Sequence, residues 1–314
     1  MTHETTHPQT LLEAVRHFSD LGVCHEYMVN VKWPDGKVIC PKCGGDHVGE
    51  VKSRRLFQCK MKGCRKQFSA KVGTIFEDSP LGLDKWFVAV WSIAAAKNGI
   101  SSHELARALG VTQKTAWHML HRIRLAMQTG SFKKIQGEIE SDETFIGGAA
   151  KNMHKEVRRR KIKGHGGGDK ATVHGLLNRG GQVNAQVVDT HSKKVLQKRV
   201  REHVEPGSAV YTDSLLSYQG LWPDYAHGIV DHSKQYVNGR IHTNGLENFW
   251  SLLKRTLKGT YVAVAPFHLQ KYVTEQVFRF NARKGNDATR FLSTLIGTVG
   301  RRLTYATLTA ANDA

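Results

Sequence analysis

Nowhere in this chain do apolar residues run for the roughly 18 positions that a membrane-spanning helix needs, and the first ten residues are polar, without a signal-peptide core. A cytoplasmic protein is the expectation. Cysteine is scarce too: five in 314 residues are too few for a disulfide scaffold and fit a reducing compartment. Acid is the third shortage. Only 27 Asp and Glu stand against 46 Lys and Arg, a formal net charge of +19. So large a basic excess makes nucleic acid the default polyanionic partner. What remains is ordinary: 40% hydrophobic residues supply a core, and the length suits two or three domains.

Four of the five cysteines fall close together, as CPKC at Cys40 and Cys43 and CKMKGC at Cys59 and Cys64. Two short knuckles at this spacing let four thiolates converge on one zinc, with Gly44, Gly45 and Gly63 permitting the tight turns. All four positions are thiolate, so the zinc is structural and leaves no open coordination site. His47 reads as a loop histidine and Cys24, which has no cysteine at ligand spacing, as a small buried hydrophobe. We place an N-terminal helical segment at 1–35 and the zinc ribbon at 36–75. The lysines and arginines around the knuckles, among them Lys52, Arg54, Arg55 and Lys60, suit contact with phosphates.

From Leu83 to Met127 the period is helical. Ser101 with Glu104 spells a capping box, Gly110 ends a helix and Thr112 starts the next. The span 80–130 reads as a helix-turn-helix whose last helix presents Gln113, Lys114, Thr115, His118 and Arg122 to DNA, with Arg124 behind them. The same pattern is also compatible with a plain three-helix bundle.

Beyond Gly130 the period becomes two. A strand over 135–142 carries Glu138, Glu140 and Asp142 on one side, which is costly unless a positive group stands opposite, and Glu143 on the other. Lys151–Lys170 holds eight Lys or Arg against two acids. It reads as a basic loop gripping a phosphate backbone through Arg158, Arg159 and Arg160. Its GHGGGDK lacks the GK[ST] ending of a nucleotide loop. A hairpin follows around Asn178–Gly181, then a basic amphipathic helix closed by Pro206 and Gly207. A short strand runs into Asp213, and another forms HGIVDHS. Leu246, Phe249, Trp250, Leu253 and Leu257 stripe a helix within Arg240–Gly259, with Glu247 and Lys254 beside the stripe. A last long helix ends near Lys284, and the tail after Asn286 is expected to pack weakly or not at all.

Asp142, Asp213 and Glu247, from two strand ends and a helix, form a set of carboxylates able to hold two divalent cations for in-line displacement at phosphorus. These residues and the ordered motifs CPKC, DETFIGG, VHGLLNRGGQV, YTDS, HTNGLENFWSLLK and YVTEQVFRFNAR resemble those of the DDE transposases of bacterial insertion sequences, in the group bearing a zinc ribbon. That resemblance implies an α/β (α+β) chain. An RNase H-like catalytic domain at 135–285, a mixed sheet with flanking helices, would follow the zinc ribbon and helix-turn-helix and precede a C-terminal tail at 286–314. It further implies that Asp142, Asp213 and Glu247 bind two Mg2+ or Mn2+ ions and that Lys254 holds DNA. Ribbon and helix-turn-helix would bind the element's inverted-repeat ends, and a homodimer or larger assembly would cleave to free 3′-hydroxyls and join them to target DNA. Such a protein is nucleoid-associated. In some relatives asparagine takes the third ligand position, which makes Asn244 the alternative to Glu247, and His242 is a nearby candidate for metal or phosphate. The competing readings are a DNA-binding regulator with an inactive nuclease-like domain and an RNase H-like nuclease without strand transfer.

Overall fold

The computed structural model describes residues 7–128, 134–148, 154–156, 159, 170–230 and 239–310. The chain divides into two compact units, Met1–Thr129 with Ala282–Ala314, and Gly130–Asn281. Among the described residues no helix is long and apolar enough to cross a membrane.

The first unit begins with helices α1 (Leu11–His17) and α2 (Leu21–Lys32). An antiparallel sheet of β1 (Val48–Val51), β2 (Leu56–Cys59) and β3 (Gln67–Phe68) carries the cysteine knuckles. Three helices follow: α3 (Leu83–Ala95), α4 (Ser102–Leu109) and α5 (Gln113–Ala126). The termini expected from sequence form as such. Ser101 and Glu104 exchange both capping-box hydrogen bonds, Gly110 closes α4 at φ +62°, and the Thr112 hydroxyl caps α5.

The tail does not pack weakly. Asn286 caps a helix, α9 (Asp287–Ile296), whose Ala288, Phe291 and Leu295 recur at helical spacing and are buried. Phe291 is 1% exposed and meets Phe18, Phe87 and Trp91, with ring centroids 5.0–6.1 Å apart. Beyond it, Gly300 donates to the Gly73 carbonyl at 2.8 Å, and a short helix, α10 (Tyr305–Thr309), follows. The apolar period of α9 was present in the sequence, and its partners are aromatic residues 200 to 273 positions earlier.

The second unit is a five-stranded mixed sheet. Its strands are β4 (Glu138–Ile146), β5 (Ala171–Asn178), β6 (Val183–Val188), β7 (Ala209–Asp213) and β8 (Ala226–Val230), in the order β6-β5-β4-β7-β8. β4, β5 and β6 pair antiparallel as a meander, and β7 and β8 add parallel. Because helices cover both faces, β5 is buried along nearly its whole length instead of alternating. One face packs Val173, Leu177 and Val183 against α7 (Asn244–Thr256) and α8 (Leu269–Asn281). The other packs Ile139, Leu176 and Val210 against α6 (Lys193–His203) and Tyr218. This is the RNase H-like arrangement: a mixed sheet with the first strand central and helices on each side.

Candidate active site and metal centre

Register explains why two aspartates 71 residues apart can meet. β4 pairs in parallel with β7 at Glu138 with Ala209, Ile139 with Val210 and Glu140 with Tyr211, always an offset of 71. Carried two residues further, the same offset sets Asp142 level with Asp213, the last residue of β7. Asp213 Oδ1 accepts from the Leu215 N–H at 3.1 Å, which fixes the carboxylate at the strand end.

α7 brings the third acid. Its apolar stripe, Leu246, Phe249, Trp250 and Leu253, is buried as the periodicity predicts. Trp250 Nε1 donates to Asp142 Oδ2 at 2.8 Å. Gly175, opposite Asp142 on β5, permits this approach: a Cβ there would stand 2.7 Å from the indole. At about 100° per residue, Glu247 lies roughly 60° around the helix from Trp250, with Asn244 roughly 60° further round and Lys254 about 20° from Glu247. Glu247 thus lies one step round the helix from the Asp142 partner and Asn244 two steps, and both are exposed.

Electrostatics agrees. Burial pushes the Asp142 carboxyl up to about 6; the Trp250 N–H opposes the rise, and the charges of Asp213 and Glu247 add to it. Glu143, which sequence reading set on the other face and gave no role, is pushed up to about 7 by burial. The Tyr218 hydroxyl donates to it at 2.6 Å and opposes that rise, and Asp213 and Asp142 add to it. Four acids therefore share one end of the sheet. An all-oxygen donor set in which the carboxylates repel one another is the chemistry that fits a hard divalent cation.

The acidic face of β4 has its positive counterpart. Arg179 Nε reaches Glu140 at 3.1 Å, its Nη1 lies 3.6 Å from Glu138, and its guanidinium stacks on Tyr211 at 4.4 Å. The same guanidinium donates to the carbonyls of Arg240 and His242, clamping the chain just before α7. Glu140, 1% exposed, accepts from the Leu246 N–H at 3.0 Å and so caps α7 from across the sheet. Gly245 makes room for it, since a Cβ there would meet Glu140 Oε2 at 2.8 Å and Leu177 closer still. His242 Nδ1 lies 3.3 Å from Glu140 and 3.1 Å from Arg179, so this histidine takes part in the clamp.

In the first unit the Sγ atoms of Cys40, Cys43, Cys59 and Cys64 all lie within 4.8 Å of one another, with Cys40–Cys64 at 3.7 Å and Cys43–Cys59 at 3.6 Å. A tetrahedral zinc with Zn–S of about 2.3 Å separates its sulfurs by roughly 3.8 Å, so the four fit a structural zinc. Among the described residues they are the one group of three or more Cys, His, Asp or Glu gathered this closely; the carboxylates of the second unit are neighbours through charge without closing on a point. Cys24 is buried, donates to the Phe18 carbonyl at 3.2 Å and has its thiol pushed up to about 12 by burial, as befits a core residue.

The residues assigned to DNA on α5 fare unevenly. Gln113 is exposed and donates to the Ser102 hydroxyl at 2.8 Å, and Thr115 shares its hydroxyl with Thr112 at 2.8 Å. Lys114 lies over the Tyr305 ring at 4.7 Å and His118 against it at 5.6 Å. Arg122 is not available as a DNA contact. It is 7% exposed and donates to the carbonyls of Ile75, Glu77 and Leu303, each at 2.9 Å. Arg124 is buried as well. The periodicity that marked α5 as basic could not show that Arg122 pins the C-terminal segment. Arg159 is exposed; Arg158 and Arg160 lie outside the described residues.

Residues 134–281 match the ISXO2-like transposase domain, and residues 22–67 match the transposase zinc-ribbon domain. A Halobacterium salinarum protein described as an uncharacterised protein in transposable element ISH50 is 28% identical over 241 residues, covering 73% of this chain and 81% of that one. An uncharacterised transposase-like protein of Haemophilus influenzae is 33% identical over 101 residues, 32% of this chain and 81% of that one. With the mixed sheet, the clustered thiolates and these matches in register along its length, the chain belongs to the insertion-sequence transposases that join a zinc ribbon to an ISXO2-like transposase domain.

Proposed function

We propose that this transposase cuts DNA at the ends of its insertion sequence and joins the freed 3′-hydroxyls to target DNA, with Asp142, Asp213 and Glu247 as the catalytic carboxylates. The observation that supports this reading is that the β4–β7 register, carried on, brings Asp142 level with Asp213, and that the charges of Asp213 and Glu247 both act on the Asp142 carboxyl. They would hold two Mg2+ or Mn2+ ions. When bound, the ions supply activation of the attacking oxygen and stabilisation of the leaving one. Trp250 orients the Asp142 carboxylate, and the Arg179–Glu140 clamp sets the start of α7 and thereby the aim of Glu247. Lys254, exposed about two turns further along nearly the same side, receives a phosphate oxygen. Glu247 is favoured over Asn244 as third ligand because its charge acts on Asp142.

In this reading the zinc ribbon and α4–α5 bind the terminal repeats of double-stranded DNA through Gln113, Lys114, Thr115 and His118, with Arg159 and its neighbours in the basic loop. Two or more copies act together, because two ends are joined. Incubating a labelled end duplex with plasmid and magnesium tests it: strand-transfer products support the transposase mechanism, hydrolysis without joining points to a nuclease, and firm binding without cleavage to a DNA-binding regulator.

A further inference from the structure

Beyond Thr256 the α7 backbone does not stop but widens into a π-helical turn, Leu257–Tyr261, and ends at Val262 with φ +59° and ψ −62°. A β-branched residue with positive φ is strained, and π-turns and strained residues of this kind concentrate at functional sites. The turn is held from below: Tyr261 donates to the buried carboxylate of Glu275, which also pairs with Arg279. What it holds up is a valine side chain 79% exposed to solvent.

Val262 forms one wall of a groove of about 1050 Å³. Phe145, at the end of β4 and 40% exposed with its ring steadied by the edge of His191, contributes to the lining, as does Leu257. Lys170, Lys254 and Lys258 supply the charge, and among the described residues no carboxylate lines the groove. An occupant must therefore combine a flat or apolar part with negative charge. A stacked duplex offers only phosphates to such a wall, whereas an unstacked nucleotide offers both a base face and its flanking phosphates. Lys254 is seven residues from Glu247, about 10 Å along the helix, or roughly three nucleotides of a stacked strand.

We propose that this groove receives one nucleotide unstacked from the DNA strand about three positions from the phosphate to be cut, its base against Phe145 with Val262 wedged in the gap it leaves and its phosphates on Lys170 and Lys258. The inference rests on the reading of Asp142, Asp213 and Glu247 as the cleavage site. Apolar wedges of this sort open base steps in deformed duplexes.

The test uses full-length protein carrying Asp142→Asn, to prevent cleavage, saturated with end duplexes that bear 2-aminopurine at successive positions beside the cleavage point. The expected result is a severalfold fluorescence rise at a single position about three nucleotides from that point, falling back toward the stacked value when Phe145→Ser or Val262→Gly is added. Val262→Gly removes the wedge but relieves the backbone, so its melting temperature should hold or rise while the signal is lost. No brightened position in complexes verified by gel shift, or brightening undiminished in both variants, overturns the proposal. Failure of the wild-type protein to bind or cut the end duplex with magnesium would remove the cleavage reading and this inference with it, and the gel alone would show that.

Discussion

Asp142 and Glu143 are adjacent acids that point to opposite faces of one strand, and both have carboxyls raised above their ordinary values, to about 6 and about 7. A carboxyl raised in the folded state binds its proton more tightly there than in the unfolded chain. Its contribution is therefore complete below the unfolded value near 4 and is lost as pH rises through the folded value. Without divalent cations the protein should lose stability between about pH 4 and pH 7, by on the order of a few kcal/mol for the two groups together. Magnesium should raise the melting temperature more at pH 7.5 than at pH 5, because protons occupy the carboxyls at the lower pH. Melting curves at the two pH values with and without the ion check this; an equal or larger magnesium effect at pH 5 would contradict it. Asp213→Ala should reduce end cleavage by on the order of a thousandfold or more, the scale of a lost metal ligand, while gel-shift affinity for the end stays close to that of the wild type. Asp142, Asp213 and Glu247 could be singled out from sequence because each ends or lines a periodic element. Glu143 and Trp250 could not, since their partners, Tyr218 and Asp142, are 75 and 108 residues away in the chain.

At the scale of elements, α7 shows both what a pattern reveals and where it stops. Its buried stripe was legible position by position, whereas its N-terminal cap comes from Glu140 on β4, more than a hundred residues earlier. Glu140→Ala should uncap α7 and strand the Arg179 guanidinium, costing about 3 kcal/mol. Urea unfolding measures that cost, and a weaker magnesium-induced rise in melting temperature would report that Glu247 is no longer aimed. Glu140→Gln, which keeps an acceptor for the Leu246 N–H, should recover part of both. The zinc ribbon is the opposite case, an element legible almost entirely from spacing. It packs on α2, where Phe57 meets Trp33 at 5.5 Å and His25 at 5.6 Å. Cys59→Ser should release the metal, loosen β1–β3 and weaken end binding severalfold. Zinc release assayed with a chromogenic chelator, followed by gel shift, tests the link; undiminished affinity in the zinc-free protein would separate the ribbon from end recognition.

At the scale of the molecule, the chain leaves the first unit at Thr129, builds the whole second unit and returns at Ala282. The return is structural. Phe291 fills a space among Phe18, Phe87 and Trp91, Arg301 donates to the Gln128 carbonyl at 2.7 Å, and Arg122 reaches the Leu303 carbonyl at 2.9 Å. From sequence the tail after Asn286 is expected to pack weakly or not at all, because the apolar face of a ten-residue helix gives no sign of which distant surface it covers. Removing one buried phenylalanine alone costs about 3–5 kcal/mol, a large share of the roughly 5–15 kcal/mol by which a domain is stable. Deleting residues 287–314 removes that ring, the carbonyl held by Arg122 and the bridge to Gly73 at once. The truncated protein should therefore lose the folding of its first unit and its end binding, while residues 134–281, produced alone, keep their β-sheet spectrum and a cooperative melt. Circular dichroism and limited proteolysis of the two fragments decide it: a truncated chain that still melts cooperatively in both units and binds end DNA would show that the returning helices only decorate a fold completed before Thr129.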